Sequence, residues 1–310
     1  MKNRILILAL LLSSLFVSNV TAQQDAQYTQ YMYNTMSINP AYAGSRDGIS
    51  ALLLYRTQWV GLDGAPDTGT FNIHSPIAED SKIGLGLSVI NDRIGPTQET
   101  YVDADFSYTI NLSEESKLAF GLKVGGHLLD VNYSELSQYN GGDVLLQSDI
   151  ENKFSPNFGA GIYYRKADRW YVGLSVPNIL ETKHFDEASL SQAKERINAY
   201  LIAGYVFDIN ADLKLKPAFL LKGVQGAPLA ADLSINALLK EKFTFGLAYR
   251  WDAAVSGMLG YQLTDSFMLG FGYDRETTEL GQTQFQQGSF EVFLRFEPRN
   301  LTKILSPRFF

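Results

Sequence analysis

Phe243-Thr244-Phe245-Gly246-Leu247-Ala248-Tyr249-Arg250-Trp251 is the stretch that decides the fold of this chain. Large apolar side chains stand at every odd position and small or polar ones at nearly every even position. A β-strand sends successive side chains to opposite faces, so this segment has one greasy face and one small or wet face. The alternation recurs in Val102-Asp103-Ala104-Asp105-Phe106-Ser107-Tyr108-Thr109-Ile110, and again over residues 267–273 and 290–296. Aspartates on one face of an aromatic strand suit a barrel with lipid outside and a polar lumen inside. A charge on the lipid side would cost about 2–4 kcal/mol near the membrane midplane.

Working outward from these strands gives fourteen alternating segments. They fall near 48–57, 67–75, 82–91, 98–110, 117–133, 154–166, 169–177, 196–208, 213–223, 229–239, 243–251, 254–263, 267–275 and 287–297. Helical periodicity is almost absent. The connections alternate in length. Residues 59–66, 92–97, 134–153, 178–195, 224–228 and 276–286 make the longer ones, with the short 252–253 in the same class. Residues 76–81, 113–116, 166–168, 209–212, 240–242 and 264–266 make the tighter ones. The pattern predicts an all-β fold, a transmembrane antiparallel β-barrel of the outer-membrane type, with short periplasmic turns and longer extracellular loops. An even strand count puts both ends of the barrel in the periplasm. Asp103, Asp105, Lys123, Lys214, Lys216, Asp232, Asn236, Glu291 and Arg295 fall on the inward face. Tyr55, Trp59, Trp170, Tyr205, Tyr249, Trp251, Tyr261 and Tyr273 fall outward near strand ends, where aromatics form interfacial girdles.

Composition agrees with a membrane barrel. Of 310 residues, 19% are charged, below the about 25% of average soluble domains, and 13% are aromatic. A mean hydropathy of -0.08 is what results when a lipid face is averaged with a polar lumen. The absence of cysteine removes disulfides, thiolate zinc sites and thiol catalysis. A net charge of -7 argues against a nucleic-acid partner. Residues 1–22 read as a signal peptide: Lys2 and Arg4, an apolar core over 5–16, then Val20-Thr21-Ala22, with cleavage expected after Ala22. Its removal takes away Lys2 and Arg4, leaving 24 basic and 33 acidic residues and a net charge of -9. The organisation that follows is a leader over 1–22, a polar and aromatic segment over 23–47, a barrel over 48–297 and a periplasmic tail over 298–310. The 23–47 segment reads as a lumen plug or as a periplasmic crossing of the barrel floor.

Motifs that carry chemistry are scarce. Gly84-Leu85-Gly86, Gly159-Ala160-Gly161 and Gly270-Phe271-Gly272 lie within strands, where glycine relieves crowding or allows curvature; a dinucleotide loop would lie between strand and helix. His74, His127 and His184 are far apart and read as hydrated lumen or loop residues. The acids of the long loops lack calcium-loop spacing. No enzyme activity, cofactor or metal is expected.

Gln30-Tyr31-Met32-Tyr33-Asn34 followed by Asn39-Pro40-Ala41-Tyr42-Ala43-Gly44 resembles the N-terminal signature of the PorP/SprF family. These are outer-membrane proteins of the type IX secretion system of Bacteroidetes. Arg56-Thr57-Gln58-Trp59-Val60-Gly61-Leu62-Asp63-Gly64-Ala65-Pro66, Asn91-Asp92-Arg93-Ile94-Gly95-Pro96-Thr97, Pro156-Asn157-Phe158-Gly159 and Val176-Pro177-Asn178 resemble its later blocks. The end, Leu305-Ser306-Pro307-Arg308-Phe309-Phe310, is similar to the family ending with Phe309 in place of Tyr. The resemblance implies a non-enzymatic barrel assisting export or surface retention of cargo with a type B C-terminal sorting domain, such as adhesins and gliding proteins. It also implies contact with the periplasmic ring of the apparatus. Trp59, Asp63, Gly64, Pro66, Asn91, Asp92, Gly95 and Pro96 are the candidate partner-binding residues of the loops, and Arg308 and Phe310 those of the tail. The other reading is a general pore or small-solute transporter; an outer-membrane hydrolase lacks a nucleophile at a defined offset.

Overall fold

The computed structural model describes residues 26–46, 48–78, 81–133, 149–180, 197–224, 227–282 and 287–298. The strands are β1 (Ser50–Thr57), β2 (Asp67–Pro76), β3 (Ile83–Ile94), β4 (Thr97–Asn111), β5 (Ser116–Val131), β6 (Ile150–Lys166), β7 (Trp170–Val176) and β8 (Asn198–Tyr205). They continue with β9 (Phe207–Asn210), β10 (Leu213–Val224), β11 (Ala230–Leu239), β12 (Phe243–Arg250), β13 (Ala254–Gln262), β14 (Phe267–Glu276) and β15 (Ser289–Phe296). β8 and β9 both pair with β10 and are two parts of one strand, broken at Val206. Fourteen antiparallel strands therefore run in sequence order, and β1 pairs with β15 to close the cylinder. Closure matters because an unpaired strand edge in hydrocarbon leaves backbone groups without partners, at several kcal/mol each. Among the described residues no helix is long and apolar enough to cross a membrane.

The alternation read in the sequence becomes the two faces of the wall. Leu53, Tyr55, Phe71, Leu85, Phe106, Phe120, Phe158, Leu247 and Phe271 are all exposed on the outside. Arg56, Asp103, Lys123, Lys216 and Glu291 are buried on the inside. Trp251 and Tyr249 stand outward at one strand end, and Tyr205 and Tyr261 at the other.

Two boundaries differ from expectation. Residues 92–97 were expected as a connection, but β3 runs to Ile94 and β4 starts at Thr97, leaving a two-residue turn of Gly95 and Pro96. Gly95 takes the left-handed φ of 55° that this turn needs. β6 likewise starts at Ile150, because its pairing with β5 continues past a register shift near Val131. The sheet β4–β6 is built of strands 15 to 17 residues long. About 9–11 residues suffice to span the membrane, so these hairpins carry their ladder beyond it.

The lumen is occupied by residues 26–46. They form a short helix α1 (Thr35–Ile38) and a single 3-10 turn (Pro40–Tyr42). Tyr28, Tyr31, Met32, Met36, Ile38, Ala41 and Tyr42 form a buried cluster with Leu52, Leu54, Tyr163, Tyr171, Ile202, Leu220, Met258 and Phe293 of the wall. Both inward histidines are buried. His74 accepts the Gly44 N–H at 3.1 Å and meets the Tyr42 ring edge-on, and His127 is fully buried against Tyr101. His184 lies outside the described residues. The inward glycines acquire a reason beyond curvature. A side chain at Gly84 would collide with the backbone of Ala43 and Gly44, and one at Gly121 with that of Pro40 and Ala41. Gly84→Val and Gly121→Val are expected to leave the barrel closed while expelling the 40–44 turn. Folded barrels should keep their heat-modifiable gel migration, and protease should now cut within residues 26–46.

Candidate functional site

The inward polar residues gain partners from the N-terminal segment, in tiers along the barrel axis. The upper tier lies near the strand ends that carry the longer loops. Glu291 of β15 accepts two consecutive backbone N–H groups, from Thr29 at 2.9 Å and Gln30 at 2.8 Å. The Thr29 hydroxyl donates to Asp274 of β14 at 2.6 Å and accepts from the Arg56 guanidinium at 2.6 Å. Arg56 Nη2 pairs with Asp274 at 2.7 Å, and Nη1 stands 3.4 Å from Glu291. All three charged side chains are about 1% exposed or less. Beside them Arg250 pairs with Asp232 at 2.7 Å, and the Tyr28 hydroxyl lies 2.8 Å from that of Thr70.

The middle tier is held by amides and hydroxyls. Asn72 donates to Asn34 and Ser37 and accepts from Ser88. Asn39 donates to the Ile162 carbonyl at 3.1 Å while its oxygen caps the Ala41 N–H. Ser175 and Ser107 donate to the carbonyls of Ile38 and Ala43, each at 2.6 Å. Lys216 and Arg295 lie 5.5 and 5.4 Å from the Tyr33 ring centre, within cation–π range. Separately on the wall, Lys123 pairs with Asp103 at 3.0 Å. The lowest tier, beside the start of β1, joins Arg46 to Glu297 at 3.3 Å and Ser50 to Glu297 at 2.8 Å.

Above the upper tier the loops make a rim. Val60 N–H donates to the Gly288 carbonyl, Gln287 N–H donates to that of Val60, and Gly95 N–H donates to that of Gly64. Three separate connections are thereby joined. Gly64 lies so close to Gly95 that a side chain there would press on its Cα, and φ at Gly64 is 73°. Trp59 takes a left-handed φ of 48°, unusual for a bulky residue. It is fixed by its N–H to Ser289 at 3.2 Å and by its indole N–H to Glu276 at 3.2 Å.

Of the sequence-selected residues, Trp59, Gly64 and Gly95 belong to this rim, where Asp63 is exposed and Pro66 buried. Asp92 accepts from Thr68 at 2.6 Å, and Asn91 donates to Thr100 at 2.8 Å, so both serve strand pairing. Gly95 and Pro96 border a polar cleft of about 390 Å³ with Arg93, Asp130 and Glu151. Arg308 and Phe310 lie outside the described residues. Sequence reasoning missed the Arg56–Thr29–Asp274 contacts. The only signal was the facing of Arg56 and Glu291, which exists only once the first strand pairs with the last. Among the described residues no group of acids and histidines could hold a metal ion.

A family model described as "Type IX secretion system membrane protein PorP/SprF" matches residues 20–296. No curated protein matches the chain. Among solved structures, a FadL homologue of Pseudomonas aeruginosa is 12% identical, with 84% of this chain and 93% of that one covered and a TM-score of 0.47. The TodX monoaromatic hydrocarbon channel, in a deletion mutant, is 9% identical over 83% and 91%, TM-score 0.45. The NanC porin is 11% identical over 81% and 100%, TM-score 0.43.

The buried charges make the upper tier sensitive to single changes. Removing one partner from a buried ionic cluster typically costs about 3–5 kcal/mol, because the rest stay buried without compensation. Arg56→Met is expected to destabilise by that order, read by equilibrium urea unfolding in detergent. Arg56→Met with Asp274→Asn and Glu291→Gln should recover part of the loss, since no uncompensated charge remains.

Proposed function

Because the chain belongs to the PorP/SprF family of type IX secretion system membrane proteins, we propose that it is a docking barrel for secreted cargo. It is a non-enzymatic outer-membrane component of that system. In the proposed role, the barrel assists export or surface retention of proteins bearing a type B C-terminal sorting domain, adhesins and gliding proteins among them. The observation that carries this reading is the filled lumen. Residues 26–46 bury aromatic, amide and ionic groups against the wall all round the cylinder, so a large partner is left the two ends of the barrel, and the loop rim is the end proposed for cargo.

Within the rim the proposed roles separate. Asp63 is exposed and offers a charge to a partner. Trp59 is bonded to Ser289 and Glu276, so its part is to hold the rim in one shape. Gly64, Pro66, Gly95 and Pro96 set the backbone path. Arg308 and Phe310 are proposed to serve the periplasmic side, in barrel assembly or in contact with the ring.

A pull-down with a type B sorting domain tests the rim. Asp63→Ala and Trp59→Ala are both expected to weaken capture. Unchanged capture by both removes the rim from the binding surface. The pore reading predicts a large steady conductance of the intact protein in a planar bilayer. The docking reading predicts silence, and conductance after deletion of residues 23–44.

A further inference from the structure

The direction in which residues 26–46 run through the barrel has a consequence for the docking surface. Arg46 binds Glu297 beside the first residue of β1, at the short-turn end. Gly44 meets His74, two residues from the end of β2 at the same level. Residues 28–30 instead meet Thr70, Asp274 and Glu291, within three residues of the opposite strand ends. Arg56, next to the last residue of β1, closes that tier. Residues 28–46 therefore run from the loop-rim end of the lumen down to the floor. Short turns face the periplasm and longer loops the exterior in barrels of this type.

We infer that the N-terminal end of this segment opens at the outer face of the membrane, so that the Arg56–Asp274–Glu291 anchorage is approached from outside the cell. Ala26 is only partly buried and packs against the aromatic cluster, two residues before Tyr28.

The chain has no cysteine, so single cysteines report position without background. Ala26→Cys, a cysteine in a short Gly-Ser insertion between Asp25 and Ala26, Asp63→Cys in the loop rim and Glu115→Cys in a short turn would each be treated with a membrane-impermeant maleimide. Treatment is done on intact cells and on lysed cells, and heat-modifiable migration verifies that each barrel is folded. The inference expects the insertion, Asp63→Cys and at least partly Ala26→Cys to label on intact cells, and Glu115→Cys only after lysis. It is overturned if both N-terminal cysteines stay unlabelled on intact cells while Asp63→Cys reacts. It is also overturned if the two controls exchange behaviour, which would invert the barrel. Neither result depends on cargo binding, so the docking reading stands or falls separately.

Discussion

The pairing of the first strand with the last is the constraint on which everything else rests. In hydrocarbon a backbone N–H or C=O without a partner costs several kcal/mol, and only closure removes the two edges of a fourteen-stranded sheet. The register of that seam is Leu54 against Phe293 and Arg56 against Glu291. It turns residues 235 positions apart into neighbours and creates the charged tier that grips Thr29. A slip of one residue would put Arg56 and Glu291 on opposite faces of the wall, one of them towards lipid, because side chains alternate faces. Fold and lumen chemistry are therefore fixed by the same seam.

A closed wall with polar residues inside still needs something for those residues to bind. Water would serve in an open channel. Here the segment 26–46 serves, with backbone N–H groups for Glu291, carbonyls for Ser107 and Ser175, and the Tyr33 ring within cation–π range of both Lys216 and Arg295. Glycines at 84 and 121 let its backbone approach the wall more closely than any side chain would allow. Each contact is modest alone, and a hydrogen bond to a charged group contributes about 1.5–3 kcal/mol. Their arrangement around the whole circumference makes the segment part of the barrel's interior.

The strands were legible because lipid imposes a simple rule on every second residue, and all fourteen alternating segments correspond to strands, one of them split at Val206. The rule weakens where lipid ends. The 92–97 connection and the start of β6 were misplaced because pairing continues above the membrane, where polar residues such as Arg93 and Asn152 no longer advertise a strand. The rim was partly legible. Trp59, Gly64 and Gly95 were visible as conspicuous loop residues, whereas the bonds of Trp59 to Ser289 and Glu276 and of Gly95 to Gly64 depend on connections that are separate in the chain. Asn91 and Asp92 looked like loop residues and instead tie neighbouring strands together.

The sequence by itself determined which residues face lipid, how many strands there are and that loop lengths alternate, because period-two patterning is local and each strand declares it alone. Family membership was legible too, in short blocks whose order survives along the chain. Only the tertiary structure decided that the lumen is filled, that the inward His74 and His127 are buried, and that the N-terminal segment runs from rim to floor. Those outcomes rest on contacts between residues tens to hundreds of positions apart, which exist only after the barrel has closed around them.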